Sequence, residues 1–448
     1  MVPPDLASLY AAHVDERFCQ FAQWLARHPY EGLLIAAGSL RHPFRDDGDY
    51  PFKVNPYFKA WLPLLGRPGC YIWLAAGESK PVLFYHQPED IWHQIDPLTD
   101  PAIQRAFTVE VIAQPAAVAT GLRRRGIGKG TAHILFLGEA RDCPDLPAEQ
   151  NPAILLAELD FQRAYKSDYE VACIRLATVK AVDGHRAAAA CFRQGGSEYD
   201  IHLAYLQASQ QLESELPYGN IIALNAHGAV LHYTRKLRQP PAQRYSFLID
   251  AGADVAGYAA DISRTYAAEE GLFAQLIEAM DQLQQTIVQR IVPGESYLEL
   301  HRWTHTQLAK LLAQFGLITG APDEAAEHVI TRHFLPHGLG HLLGLQVHDR
   351  GGWMQSAEGI EVKPPATDPY LRLTRPIEVG QVFTIEPGLY FVPSLLDSLR
   401  QHHAAQWVNW RMVEELLPYG GIRIEDNIYV AADGVHNLTR AAGLAGSD

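Results

Sequence analysis

The chain has 448 residues, 48% of them hydrophobic, a length at which one hydrophobic core stops growing and two domains are expected. Its formal charge of −14 repels phosphate backbones and acidic membranes, which excludes nucleic acid as a main partner. Ordinary glycine, proline and charge content excludes a collagen-like, coiled-coil or disordered chain.

No stretch reaches the roughly 18 uninterrupted apolar residues of a spanning helix, so no membrane partner is expected. Pro3, Pro4 and Asp5 stand where a secretory leader carries positive charge and then an apolar run. The cysteines Cys19, Cys70, Cys143, Cys173 and Cys191 are scattered, without the paired spacing of a disulfide framework or zinc knuckle. A cytoplasmic, reduced setting is the expectation.

In chain order, apolar runs at 32–37, 70–74 and 81–85 alternate with polar, helix-compatible segments, which predicts an α/β unit. Residues 47–63 crowd aromatics and prolines outside any clear period, as in a loop pinned by buried aromatics, a dimer contact or an active-site rim. Turn-formers cluster at 142–147. From Phe161 onward Tyr165, Tyr169, Val171, Ile174, Leu176, Val179 and Val182 fall on roughly one helical face. We place the domain boundary there: 1–160 as a smaller N-terminal α/β domain, 161–448 as a larger domain. The latter mixes strands and helices without regular alternation, so its class is α+β.

Four segments of the larger domain carry chemistry. Residues 245–266 read as a hairpin, and a turn centred on Val255 and Ala256 would set Asp250 directly opposite Asp261. Opposed Cβ atoms lie about 4.5–5.5 Å apart, close enough for two carboxylates to share a cation and costly without one. Residues 333–349 hold His333, His337, His341 and His348 among apolar neighbours, and buried imidazoles demand hydrogen-bond partners or a metal. Glu386 ends an apolar strand at 381–385, and alternation sets Arg423 and Glu425 on one face of another. Either glutamate alone is compatible with a surface strand. Together, four carboxylates and an imidazole suit hard or borderline divalent ions, and two such ions would neutralise four charges.

These residues resemble the pita-bread metallopeptidases, and within them the bacterial Xaa-Pro dipeptidases and the related organophosphorus acid anhydrolase. The resemblance rests on the segments around Asp250, Asp261, His337, His341, Glu386 and Glu425, and extends to 50–56, 163–166, 218–221 and 231–234. It implies a C-terminal pita-bread catalytic domain with Asp250, Asp261, His341, Glu386 and Glu425 as ligands of two manganese ions. Asp261 and Glu425 would bridge them. It implies Glu386 as the proton carrier, with His337 and His348 steadying substrate and tetrahedral intermediate. His232, Arg372 and Arg423 would meet the substrate carboxylate, Arg375 standing three residues from Arg372 as a rival. Tyr218 and Tyr297 would line the pocket, and Asp47 would reach the site of the neighbouring subunit in a homodimer.

The implied substrate is an Xaa-Pro dipeptide with a free carboxylate, with organophosphate triesters as a side activity. One stretch departs from the family pattern: Asn225-Ala-His-Gly-Ala-Val230 replaces the usual asparagine-glutamate-asparagine pattern before the Leu-His-Tyr, and Thr234-Arg-Lys-Leu-Arg-Gln-Pro-Pro follows it. Aminopeptidase P-type trimming of longer Xaa-Pro peptides and a catalytically silent peptide-binding module are the alternatives. The complete ligand set disfavours the silent module and the metal-free creatinase, and the size of the first domain disfavours a methionine aminopeptidase.

Overall fold

The computed structural model describes residues 2–91, 94, 96–127 and 133–446. Contacts divide the chain into two compact units, Met1–Leu159 with Ser167–Ala172, and Asp160–Lys166 with Cys173–Asp448. Among the described residues no helix is long and apolar enough to cross a membrane.

The first unit is built on a six-stranded mixed sheet in the order β4-β3-β2-β1-β5-β6. Its strands are β1 Gly32–Ala36, β2 Tyr71–Leu74, β3 Val82–His86, β4 Thr108–Ile112, β5 Ile134–Leu137 and β6 Ala148–Gln150. The first three are the runs expected from sequence. β1 is buried along its length, which is why it reads as an unbroken apolar run and not an alternating one. Of the aromatic-rich segment, Phe58 and Trp61 are buried, while Tyr50 and Asp47 are exposed.

The long helix beyond the boundary runs Asp168–Arg193, preceded by a separate helix Ala153–Gln162. The expected face is therefore two helices with a break, and Leu176 and Val179 turn out to be exposed. In the second unit the strands are β7 Ile221–Leu224, β8 Ser246–Asp250, β9 Asp254–Val255, β10 Tyr258–Ala259 and β11 Ser263–Ala267, then β12 Val382–Ile385, β13 Gly388–Tyr390, β14 Gly421–Arg423, β15 Asp426–Ala431 and β16 Gly434–Asn437. They form ladders β11-β8-β7, β10-β9, β12-β15-β16 and β13-β14. Helices Leu272–Gln289, Tyr297–Gln314 and Glu324–Phe334 supply Leu276, Met280, Leu300, Leu312 and Ile330 to a core shared with Phe383, Ile385, Ile422 and Ile424.

The hairpin that carries the two aspartates has a different register from the one expected. Asp250 pairs with Ser263, not Asp261, and Val255 pairs with Tyr258 around a turn at Ala256 and Gly257. Both turn residues have positive φ, 55° and 91°, as a two-residue hairpin turn demands. A turn centred on Val255 would have forced that conformation on a β-branched residue. A slip of two residues keeps every side chain on its face, so both aspartates still point to the same side as diagonal neighbours.

Gly340 fixes the close approach of the histidine segment to β12. A Cβ there would collide with the Thr384 carbonyl and the Tyr297 hydroxyl. Gly340→Ala is expected to cost about 1–3 kcal/mol and to lower the thermal midpoint in calorimetry. An unchanged midpoint would refute the close-approach argument.

Candidate active site

Five side chains converge where strands of the second unit end. Asp250 closes β8, Asp261 precedes β11, Glu386 lies between β12 and β13, and Glu425 lies between β14 and β15. Backbone bonds tie these ends together: Glu425 N to Ser263 O at 3.0 Å, Thr384 N to His341 O at 2.9 Å and Glu386 N to Leu339 O at 2.8 Å. His341 Nε2 then lies 3.4 Å from Asp261 Oδ2, 3.7 Å from Glu386 Oε1 and 3.9 Å from Glu425 Oε1. Asp250 joins through Tyr218, whose hydroxyl reaches Asp250 Oδ1 at 2.7 Å and also Asp261 Oδ1.

Those four carboxylates are close together and largely buried, with one guanidinium, Arg423, bonded to Asp250 at 2.7 Å. Burial, then Asp261 and Glu386, pushes Glu425 well above the usual carboxylate range. Glu386 is raised to about 7, chiefly by burial, against the pull of His341 and Arg423. Burial also raises Asp250, with Asp261 adding to it and Arg423 opposing. Asp261 is lowered because His341 and Tyr218 outweigh its burial. The single Tyr218 hydrogen cannot serve both aspartates at once.

Asp261, His341 and Glu425 each offer a ligand atom within 4.8 Å of the others. His341 Nδ1 meets the Leu342 carbonyl at 2.9 Å; a carbonyl only accepts, so Nδ1 carries the hydrogen and Nε2 faces the carboxylates with its lone pair. Carboxylates that burial would protonate, around an imidazole presented this way, fit divalent cations.

The outer residues divide into three groups. His337 Nδ1 donates to Gly338 O at 2.8 Å, and its Nε2 therefore accepts from the Tyr390 hydroxyl at 2.8 Å. Burial, then Arg423, lowers its pKa to about 3, so the ring is neutral. The His348 ring meets His341 edge to face at 4.4 Å. Arg372 and His232 are both exposed, and both act electrostatically on His348. Arg375 is buried, donates to Tyr165 and Glu378, and lies over the Phe161 ring at 4.4 Å. Arg372 is thus the arginine left facing outward.

Arg423 and Tyr297, expected to meet the substrate carboxylate and to line the pocket, are both buried. Each Arg423 nitrogen already has a partner: Nε on Ser263 Oγ at 2.9 Å, Nη1 on Tyr390 at 2.8 Å and Nη2 on Asp250 at 2.7 Å. Tyr297 is fully buried and donates to Thr384 O at 2.8 Å. Asp47 is exposed and belongs to the other unit.

Three comparisons bear on this arrangement. The pattern of metallopeptidase family M24 matches residues 172–432, and that of the Xaa-Pro dipeptidase N-terminal domain matches 8–161. An Xaa-Pro dipeptidase of Shewanella loihica is 46% identical over 99% of this chain and 100% of its own. One from Aeromonas hydrophila is 47% identical over 98% of this chain and 99% of its own. The chain belongs to the Xaa-Pro dipeptidase family of M24 metallopeptidases. In fold it is similar to aminopeptidase P of E. coli with the inhibitor Pro-Leu, at TM-score 0.72, 23% identity and 95% of both chains. The Pseudomonas aeruginosa aminopeptidase PepP gives TM-score 0.70 at 22% identity, over 96% of this chain and 95% of that one.

In this M24 chain Ser263, Tyr390 and Thr384, absent from the expected site residues, also support the site. Ser263 Oγ donates to Glu425 Oε2 at 2.7 Å while accepting from Arg423. Parity was the available signal: Ser263 follows Asp261 by two residues, and Glu386, Gly388 and Tyr390 alternate on one strand face.

A second buried group, His301, His305 and Asp368, also has metal-compatible spacing. There Arg332 forks onto both Asp368 oxygens at 2.7 and 3.2 Å, so the carboxylate is already neutralised.

Behind His348, Asp349 forms buried ion pairs with Arg163 and with Lys166, the latter at 3.2 Å. The two cations, countering burial, hold its carboxyl below the ordinary range. A depressed folded pKa contributes stability that is full above the unfolded value and is lost as pH falls through the folded value. Asp349→Asn is expected to cost about 3–5 kcal/mol at pH 7. Its loss relative to wild type should shrink toward acid pH in denaturant titrations; a loss constant with pH would contradict the pairing.

Proposed function

We propose that the chain hydrolyses Xaa-Pro dipeptides at a centre in which Asp250, Asp261, His341, Glu386 and Glu425 hold two divalent ions, manganese by preference. The observation carrying this reading is four largely buried carboxylates around the Nε2 lone pair of His341, with one guanidinium among them. An oxygen-rich donor set with one imidazole favours manganese over thiolate-seeking metals. When bound, the ions would supply Lewis acidity for acidifying a water and polarising the scissile carbonyl.

The chain's own groups do the rest. Glu386 takes a proton from the attacking water and delivers it to the departing proline nitrogen, which has no hydrogen of its own. Thr384 Oγ1, 3.4 Å from Glu386 Oε1, and His337 Nδ1, 3.6 Å from Oε2, flank that carboxylate. Neutral His348 donates an N–H to the developing oxyanion. Arg423 acts through others: it holds Asp250, and through Tyr390 it fixes the tautomer of His337. The substrate carboxylate then falls to His232 and Arg372, both exposed and both close enough to act electrostatically on His348. Gripping a terminal carboxylate selects dipeptides, because a longer peptide lacks that group there.

In this reading the protein works in the cytoplasm as a homodimer, with Asp47 of each copy approaching the partner's site. Phosphotriesters, tetrahedral at phosphorus like the peptide intermediate, are a secondary substrate class.

Manganese content measured together with hydrolysis of Ala-Pro, Ala-Ala and Ala-Pro-Ala tests the reading. Fast cleavage of Ala-Pro alone is expected; fast cleavage of the tripeptide with inert Ala-Pro would replace it with aminopeptidase P-type activity. Asp261→Asn is expected to lose at least one ion per chain by elemental analysis and to lower kcat by about 100-fold or more. Two retained ions with wild-type turnover would remove Asp261 from the ligand set.

A further inference from the structure

His232 sits in a loop that a single buried carboxylate holds closed. Glu198 is 1% exposed and begins helix Glu198–Ser209, whose first turn is fixed by a capping box between Ser197 and Asp200. Its Oε1 accepts from Leu224 N at 3.1 Å and from His227 Nδ1 at 2.7 Å. Its Oε2 accepts from the Tyr233 hydroxyl at 2.8 Å and from Leu237 N at 2.9 Å. Two of these donors precede His232 in the chain and two follow it, so the loop is pinned on both sides.

The donor set fills the four lone-pair directions of a carboxylate. His227 also stacks on Tyr233 at 4.6 Å and 16°, joining the two halves of the loop. Burial and Glu198 push the Tyr233 phenol up, which keeps it a donor. At the loop's start Asn225 adopts φ 58°, with its side chain accepting from Tyr245 N at 2.8 Å and donating to Gln243 O at 2.8 Å. Leu231 and His232 lie at the turn between the two pinned halves.

We infer that Glu198, through His227 and Tyr233, is the positioning residue that sets His232 for the substrate's carboxylate, so that this network determines selectivity for a free C-terminal proline. The inference rests on the carboxylate role proposed for His232. Glu198 touches no reacting atom; it acts on the ground state and transition state alike, and its signature is therefore in KM more than in kcat.

The test is steady-state kinetics of the metal-loaded full chain on Ala-Pro and on Ala-prolinamide, which lacks the carboxylate. Glu198→Gln replaces one of the two acceptor oxygens with an amide donor and is expected to raise KM for Ala-Pro about tenfold, with kcat and metal content retained. KM for Ala-prolinamide should not move. Adding Glu198→Gln to His232→Ala should produce no further rise, since the two act as one unit. His227→Ala, on a half-exposed side chain, gives a smaller rise of the same kind and serves if Glu198→Gln fails to fold. Unchanged KM in Glu198→Gln and His227→Ala, while His232→Ala raises it, overturns the positioning role alone. Unchanged KM in His232→Ala overturns the carboxylate reading beneath it. Equal effects on Ala-Pro and Ala-prolinamide would mean a general structural role and also overturn the inference.

Discussion

The second unit is organised around an electrostatic problem: four carboxylates, largely removed from water, with one guanidinium to oppose them. In a low-dielectric interior such a group ionises only if positive charge is supplied, and otherwise protonates. The upward shifts of Glu425, Asp250 and Glu386 are the local expression of that demand. His341 carries the same demand in the other direction. Its burial would lower its pKa, yet Asp261 and Glu386 raise it, so the carboxylates call for a cation at Nε2, whether proton or metal. Hydroxyls of Tyr218, Ser263 and Thr384 orient the oxygens without contributing charge.

Bringing these groups together is work done by backbone pairing. The ladder of β8 with β11 places the aspartates, and the Ser263 to Glu425 bridge ties β11 to the start of β15. The Leu342 to Phe383 bridge does the same for the histidine segment and β12. The four carboxylates stand at or close to strand ends, where the chain is held by hydrogen bonds on one side and free to aim a side chain on the other. Helices Leu272–Gln289 and Tyr297–Gln314 share a core with these strands, which makes the positions of the clustered side chains depend on core packing. Gly340 and Gly252 show how little space is left: a Cβ at either would strike a carbonyl of the neighbouring segment.

Much of this was legible in the sequence because chemistry-bearing residues interrupt apolar runs. Asp250, Glu386 and Glu425 each follow a buried strand, and the structure gathers them with Asp261 and His341. What escaped was geometry that depends on partners far along the chain. The register of the hairpin turned on which two residues could adopt positive φ, a choice that Ala256 and Gly257 made by excluding Val255. Nothing near Arg423 in the chain announces its partners: Ser263, 160 residues earlier, and Tyr390 bond two of its nitrogens. Arg372 and Arg375 are indistinguishable by composition; burial beside Phe161 and Tyr165 separates them.

The centre and the loop beside it answer to different constraints. A ligand set is intolerant, since removing one carboxylate changes charge, geometry and affinity together. The segment 224–237 is held from below by Glu198 and only displays His232, so its sequence can vary while its anchor points remain. His227 is one of those anchor points, donating from Nδ1 to Glu198 and stacking on Tyr233. The carboxylate cluster and the loop that displays His232 are thus held by separate contacts, so a change in what the loop rests on can move His232 without disturbing the cluster.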